Sequence, residues 1–293
     1  MIYKIENDEL RVEICSTGAE VYSIYGKKSG TEYLWQGNGE FWSGRAYVLF
    51  PICGRLWEGK YTYDGKEYEM NLHGFARKSE LSVIDSKSDD ITFELKESEQ
   101  TLSQYPFPFV LHIRYYIKGA TLATEIKVKN TGKNVLPFSV GGHPGFNVPL
   151  DKGLSFEDYY LEFSEPCKPS RVMMSERCFV TGEMNPYPLE NDKIIRLKHS
   201  LFDNDAIFLK NTANRVTLKS DKGDKFVTVD FKNMTNVGFW HTTCKPAPFV
   251  CIEPWHGTAA TDGKIDDFSD KKEFVYLEPG KEFGVSFDIT VSC

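Results

Sequence analysis

The sequence predicts an all-β fold, a large antiparallel β-sandwich with few short helices. Three observations lead there. Aromatic side chains form 14% of the 293 residues, with 15 Tyr and 21 Phe, and these favour the half-buried, pleated surface of a strand. Apolar residues recur at period two rather than at helical spacing. Short apolar runs follow one another closely, separated by clusters of Gly, Asn and Asp, as in sandwiches.

Taken in order, residues 1–10 read as a first strand, because the basic start and apolar core of a secretory leader are missing. Short runs at 10–15, 81–85 and 91–95 come next. Between 111 and 118, Leu111, Ile113, Tyr115 and Ile117 share one face; between 121 and 129, Leu122, Ile126 and Val128 oppose Glu125, Lys127 and Lys129. Turns are expected at Lys118-Gly119-Ala120, at 130–134 and at 220–224. Further strands are expected at 205–209, 216–219, 226–231 and 283–291. No linker, composition shift or internal repeat divides the chain, so 1–293 is expected to form a single domain.

Composition narrows the partners. With 42 acidic against 35 basic residues and a net charge of −7, no nucleic-acid partner is expected. No stretch nears the length of about 18 apolar residues that a membrane span requires, so no membrane partner is expected either. Seven cysteines, an odd number without a C-x-x-C pair, argue against disulfides and zinc–thiolate sites and for a reducing cytoplasm.

The motif for a phosphate-binding P-loop is missing, as are a dinucleotide fingerprint in a βαβ setting and G-x-S-x-G. What remains is His, Glu, Asp and Arg at strand ends beside Gly and Pro. If 138–142 is a strand, Ser139, Gly141 and His143 share a face that the small residues leave bare, with the imidazole over an open groove. Pro144 excludes a helix there and fixes the chain's exit; the alternative is a turn whose His caps a carbonyl. Glu253 follows the apolar run 249–252 on the side of Phe249 and Cys251, where partial burial would raise its pKa towards that of a general base. Trp255 is a candidate floor for a sugar or a core residue. His73, before Gly74, and Arg55, after Gly54, sit in turns suited to close ligand approach, and Asp203 or Asp205 precedes a short strand. His112, His199, His241 and His256 read as structural, with His241 nearest to the cleft. A metal held by His73, His143 and Glu253 lacks any local pair of ligands, and none is expected.

Taken together, Pro51-Ile-Cys-Gly-Arg-Leu56, Leu72-His-Gly-Phe-Ala-Arg77, Gly141-Gly-His-Pro-Gly-Phe-Asn-Val-Pro-Leu150, Asn204-Asp-Ala206 and Cys251-Ile-Glu-Pro-Trp255 resemble the aldose 1-epimerase (galactose mutarotase) family. The likeness is nearest to its LacX-like branch. It implies a galactose mutarotase-like supersandwich with a sugar cleft and no cofactor. It also implies His143 as general acid, Glu253 as general base, and Arg55, His73 and Asp205 as sugar-binding residues. Where better-studied galactose mutarotases carry Asn-Arg, this chain has Gly54-Arg55, which leaves the preferred sugar open.

The chemistry agrees with the resemblance. Opening a hemiacetal removes the proton of the C1 hydroxyl while the ring oxygen accepts one, work for a carboxylate and an imidazolium on opposite sides of a pyranose. The carboxylate is expected to raise the histidine pKa. One rival is an enzyme acting on a hexose 6-phosphate, with Arg45, Arg77 and Lys78 as candidate cations. The others are a non-catalytic carbohydrate-binding sandwich and a zinc-dependent hydrolase. The expected partner is a small sugar; oligomeric state is open.

Overall fold

Period-two patterning produces the longest hairpin of the computed structural model, which describes residues 1–293. Phe109–Lys118 and Thr121–Asn130 pair with Leu111 opposite Val128 and Ile113 opposite Ile126, so the apolar faces coincide. This hairpin sits within a nine-stranded antiparallel sheet, whose strands run in spatial order 194–196, 159–163, 215–220, 227–230, 282–291, 121–130, 109–118, 90–96 and 82–86. A four-stranded sheet spans residues 2–32. The only α-helix, Glu99–Gln104, is closed by Ser98: the Thr101 amide donates to its Oγ at 3.2 Å, and its own amide donates to Thr101 Oγ1 at 2.8 Å. No helix is long and apolar enough to cross a membrane.

The second large sheet has seven strands: β1 (Ala46–Leu49), β2 (Val140–Asn147), β3 (Ser170–Met174), β4 (Val180–Pro186), β5 (Ile207–Lys210), β6 (Asn236–Trp240) and β7 (Phe249–His256). Their spatial order is β4-β3-β5-β6-β7-β2-β1, antiparallel throughout. Alternation divides each strand between two environments. On β7, Val250 and Ile252 enter the main core; on β2, Val140 and Phe146 do the same. That core runs from Ile5 to Val291 and draws on all three large sheets. The two largest sheets touch so closely that a Cβ on Gly142 would lie 2.6 Å from the ring of Phe287.

The structure departs from the sequence reading at His143. Residues 136–147 hold two strands, Leu136–Phe138 and β2, broken at Ser139. His143 and Pro144 therefore lie inside a strand rather than at its exit, and Ser139 lies outside it. A proline has no N–H for a ladder, and Pro144 has a counterpart in Pro254 on β7. The ladder between β2 and β7 pairs Gly141 with Trp255 and Gly145 with Cys251, but is interrupted between these points. Register survives the interruption, so His143 falls opposite Glu253.

Replacing Gly142 with Val should overpack this junction. Urea unfolding is expected to show a loss of about 1–3 kcal/mol, whereas Gly39→Ala, with open space around its Cβ position and no left-handed backbone angle, is expected to leave stability nearly unchanged.

Candidate active site

One row of side chains across the seven-stranded sheet builds the site. Tyr47 pairs with His143, His143 faces Glu253, Glu253 pairs with Gly238, and Gly238 pairs with Phe208. All five positions share the face turned away from the core. Gly238 keeps the row open: a Cβ there would lie 2.6 Å from the Phe208 ring, which leans over it. Above the row lies a pocket of about 390 Å³, within the usual range for small-molecule sites of roughly 300–1,000 Å³. His143, Glu253, His73, Arg55, Asp205 and Trp255 all line it, whereas Asp203, the alternative to Asp205, does not, so the structure brings these six candidates together.

His143 Nε2 lies 3.3 Å from Glu253 Oε2, with the two side chains 7% and 2% exposed. This contact leaves no room for a pyranose between the groups, so they do not flank a sugar as the sequence reading supposed. The expected direction of the histidine shift is also reversed. Burial lowers the His143 pKa to about 3 and outweighs every other influence, among which the Arg77 charge acts in the same direction. Burial likewise raises Glu253 well above the usual carboxylate range, and the negative charge of Asp205 adds to the rise. Burial thus drives both groups to their neutral forms.

His73 adopts a left-handed backbone at φ 62°, in a turn closed by the Gly74 amide donating to the Asn71 carbonyl. The Gly54 amide donates to its Nδ1 at 3.0 Å. Nδ1 is thus an acceptor, and Nε2 carries the proton as a donor. Burial pushes its pKa well below the ordinary value, helped by His143, Arg77 and Arg55. Arg55 makes one long hydrogen bond, 3.4 Å to the Arg177 carbonyl, and no ion pair of its own. Asp205, at φ 66°, ends the turn before β5 and accepts from the Cys178 thiol. That contact and burial, the larger influence, push the thiol up to about 12. Trp255 lies beneath the pocket with Phe208 at 4.4 Å and His73 at 5.6 Å between ring centroids. Its indole N–H is buried and acts on the Glu253 carboxyl, lowering that pKa against the larger effect of burial.

Sequence reasoning missed the aromatic walls. Trp42, Tyr47 and Trp240 surround His143 at ring-centroid distances of 4.9, 5.0 and 5.7 Å. Tyr47 carried a signal in principle, since it precedes the apolar run Val48-Leu49-Phe50 as Glu253 follows one; Trp42 and Trp240 carried none. Cys178 was equally invisible, because its partner lies 27 residues away. Of the three candidate cations, only Arg77 lines the pocket. Arg45 is committed to the Tyr22 carbonyl at 2.8 Å and to the Tyr22 ring, and Lys78 is exposed outside the pocket. His112, His199, His241 and His256 stay out of the pocket. His241 is wholly buried, donating from Nδ1 to the Thr242 carbonyl and accepting from His199 at 3.1 Å. All seven cysteines are unpaired. Metal-binding atoms converge at His143, Cys251 and Glu253 rather than at the His73-containing set considered from sequence.

Comparison with known proteins gives the same direction. A family model described as aldose 1-epimerase matches residues 1–265. The chain belongs to the aldose 1-epimerase family. This family member is 36% identical to the plasmid-encoded protein LacX of Lactococcus lactis subsp. lactis, over 99% of each chain. Among solved structures, it is similar to a galactose mutarotase related enzyme from Lactobacillus acidophilus, with TM-score 0.96 and 36% identity, covering 100% of this chain and 98% of that one. A galactose mutarotase-like protein from Lactobacillus casei gives TM-score 0.93 and 29% identity, with 100% of both chains covered. Membership carries a carbohydrate epimerase activity in general terms and sugars as the class of ligand.

The buried, neutral state of His143 is directly observable. In ¹⁵N NMR its imidazole signals should stay those of a neutral ring throughout the range from about pH 5 to 8 in which an ordinary histidine titrates. A midpoint near 6.5 would contradict the lowered pKa.

Proposed function

We propose that the chain is an aldose 1-epimerase that interconverts the α and β anomers of an aldohexose, with 1–293 acting as one unit. The observation that carries this reading is the 3.3 Å contact between His143 and Glu253 on the pocket floor. The two oxygens that exchange protons in mutarotation, the C1 hydroxyl and the ring oxygen, are bonded to the same carbon. Two side-by-side groups therefore reach both from one edge of the sugar, without flanking it.

The pair holds one labile proton whichever partner carries it. Burial favours His/Glu–H; passage of that proton along the contact yields imidazolium and carboxylate with the same total. In that form Glu253 takes the proton of the C1 hydroxyl while His143 gives one to the ring oxygen. The bond from C1 to the ring oxygen breaks and the C1 carbonyl forms. Rotation about C1–C2 presents the other carbonyl face, and the same groups run in reverse. Arg55 and the Nε2–H of His73 donate to sugar oxygens and Asp205 accepts from hydroxyls, while Trp42, Tyr47 and Trp240 offer faces to the C–H surface of the ring.

A second reading, that the substrate is a hexose 6-phosphate, is favoured by Arg77. Its guanidinium lies over the Tyr47 ring, 4.9 Å from the centroid, and its Nε is buried without a hydrogen-bond partner. A cation on the wall that stacks on a ring but pairs with no carboxylate is available to an anionic group.

Anomer exchange of glucose and galactose, followed by NMR saturation transfer, should be far above background and fall about 100-fold or more in Glu253→Gln, the scale of a positioned acid–base group. No enhancement with free or phosphorylated sugars would leave only a sugar-binding protein. The pH profile should be broad. His143 binds a second proton only near its lowered pKa of about 3, and Glu253 loses the shared one only well above the usual carboxylate range, so activity persists between those limits. Because the folded pKa of Glu253 exceeds its unfolded value, the carboxyl weakens the fold increasingly as pH rises through the unfolded value. Glu253→Gln should therefore melt no lower than wild type at neutral pH, with its advantage growing towards alkaline pH.

Arg77→Met separates the two substrate readings. Loss of a charge-assisted hydrogen bond should cut kcat/KM for a hexose 6-phosphate about tenfold or more. An equal effect on free and phosphorylated sugar would remove the second reading.

A further inference from the structure

We propose that His143, Cys251 and Glu253 form a site for a thiophilic divalent cation such as Zn²⁺, and that its occupation silences the acid–base pair. The inhibition rests on the function proposed above; the binding does not.

Sheet register creates the site. Cys251 and Glu253 are two residues apart on β7 and share the face turned to the pocket, while the positions opposite them on β2 are Gly145 and His143. Gly145 has no side chain where a Cβ would lie 3.3 Å from the Cys251 Sγ, so the thiol fits beside the imidazole. One ligand atom from each of the three residues lies within 4.8 Å of the others, and all three side chains are buried. A neutral imidazole nitrogen, a thiolate sulfur and a carboxylate oxygen form a mixed set suited to Zn²⁺, with a fourth position open. Here the fourth position is the pocket, since His143 and Glu253 line it while Cys251 sits behind them. His143 Nδ1 is buried and bonded to no neighbouring residue. The proposed reaction makes no use of Cys251.

Binding exchanges protons for metal. The Cys251 thiol proton and the labile proton of the His143–Glu253 pair leave to solvent, and the lone pairs that held them bind the cation. With those lone pairs occupied, neither group moves a proton at the sugar. A thiophilic cation should therefore inhibit, whereas Mg²⁺, which prefers oxygen ligands, should not.

The test is calorimetric titration of the chelator-stripped protein with Zn²⁺, in parallel with Co²⁺ titration read by the near-ultraviolet sulfur-to-cobalt charge-transfer band. We expect one equivalent bound, the cobalt band present, and anomer exchange abolished by Zn²⁺ and restored by EDTA. Cys251→Ala and the near-isosteric Cys251→Ser should keep their exchange rate. Both should lose the cobalt band and at least about 10–100-fold in Zn²⁺ affinity, a loss usual even for residues one shell removed from a metal. Circular dichroism shows whether each variant is folded, and one folded variant suffices. Cys244→Ala and Cys293→Ala, at the exposed thiols, should keep the band. No binding, or binding unchanged in the Cys251 variants, overturns the proposal. Cys251-dependent binding without any mutarotation upholds the metal site and rejects the proposed activity; Cys251-dependent binding with mutarotation indifferent to Zn²⁺ upholds both and overturns the silencing.

Discussion

The structure around the pocket depends on the antiparallel register between two neighbouring strands, Val140–Asn147 and Phe249–His256. That register sets Gly145 against Cys251 and Gly141 against Trp255, and so puts His143 across from Glu253. A slip of one residue would send one of the pair into the core. What holds the register is the burial of the alternate residues, Val140 and Phe146 on one strand and Val250 and Ile252 on the other. Ladder bonds contribute less at this point than elsewhere in the sheet, because Pro144 and Pro254 interrupt them. The stability of the hydrophobic core is thereby what positions the polar pair.

Burial then determines the electrostatics. Sheltered from water, an imidazole and a carboxyl 3.3 Å apart both avoid charge, and the cost of leaving solvent outweighs the attraction they would gain as ions. The neighbours follow the same logic. His73 stays neutral and is locked as a donor by the Gly54 amide, and the Cys178 thiol keeps its proton beside Asp205. In the proposed mechanism, a resting site without net charge on its central pair is compatible with a neutral sugar. Arg77 and Arg55 remain the cations of the wall.

Much of this was legible in the sequence, for identifiable reasons. The strands at 109–118 and 121–130 announced themselves through alternation, and Glu253 through its place after an apolar run. His73 and Asp205 were marked by turn residues, and both take left-handed backbone angles. What could not be read was proximity across strands. The direct contact of His143 with Glu253 depends on a pairing between residues 110 positions apart, and the clustering of Trp42, Tyr47 and Trp240 on the histidine depends on three different strands and loops. The reversal of the histidine shift has the same origin. Sequence showed that a carboxylate could be near but not how little water the pair would see. Pro144 misled most directly: it reads as fixing the chain's exit, whereas the strand runs on through it to Asn147.

His143 and Glu253 stand on central strands of the sheet, whereas Arg55, His73 and Asp205 hang from turns. Elements of those two kinds do not loosen at the same temperature, since turns open locally while central strands come apart only with the whole molecule. If the proposed roles hold, gentle warming erodes sugar recognition before proton transfer: affinity drifts while the turnover of bound sugar holds, and the two collapse together only at melting. The same separation gives evolution freedom to change which sugar is held by rebuilding three turns, leaving untouched the pair that would do the chemistry.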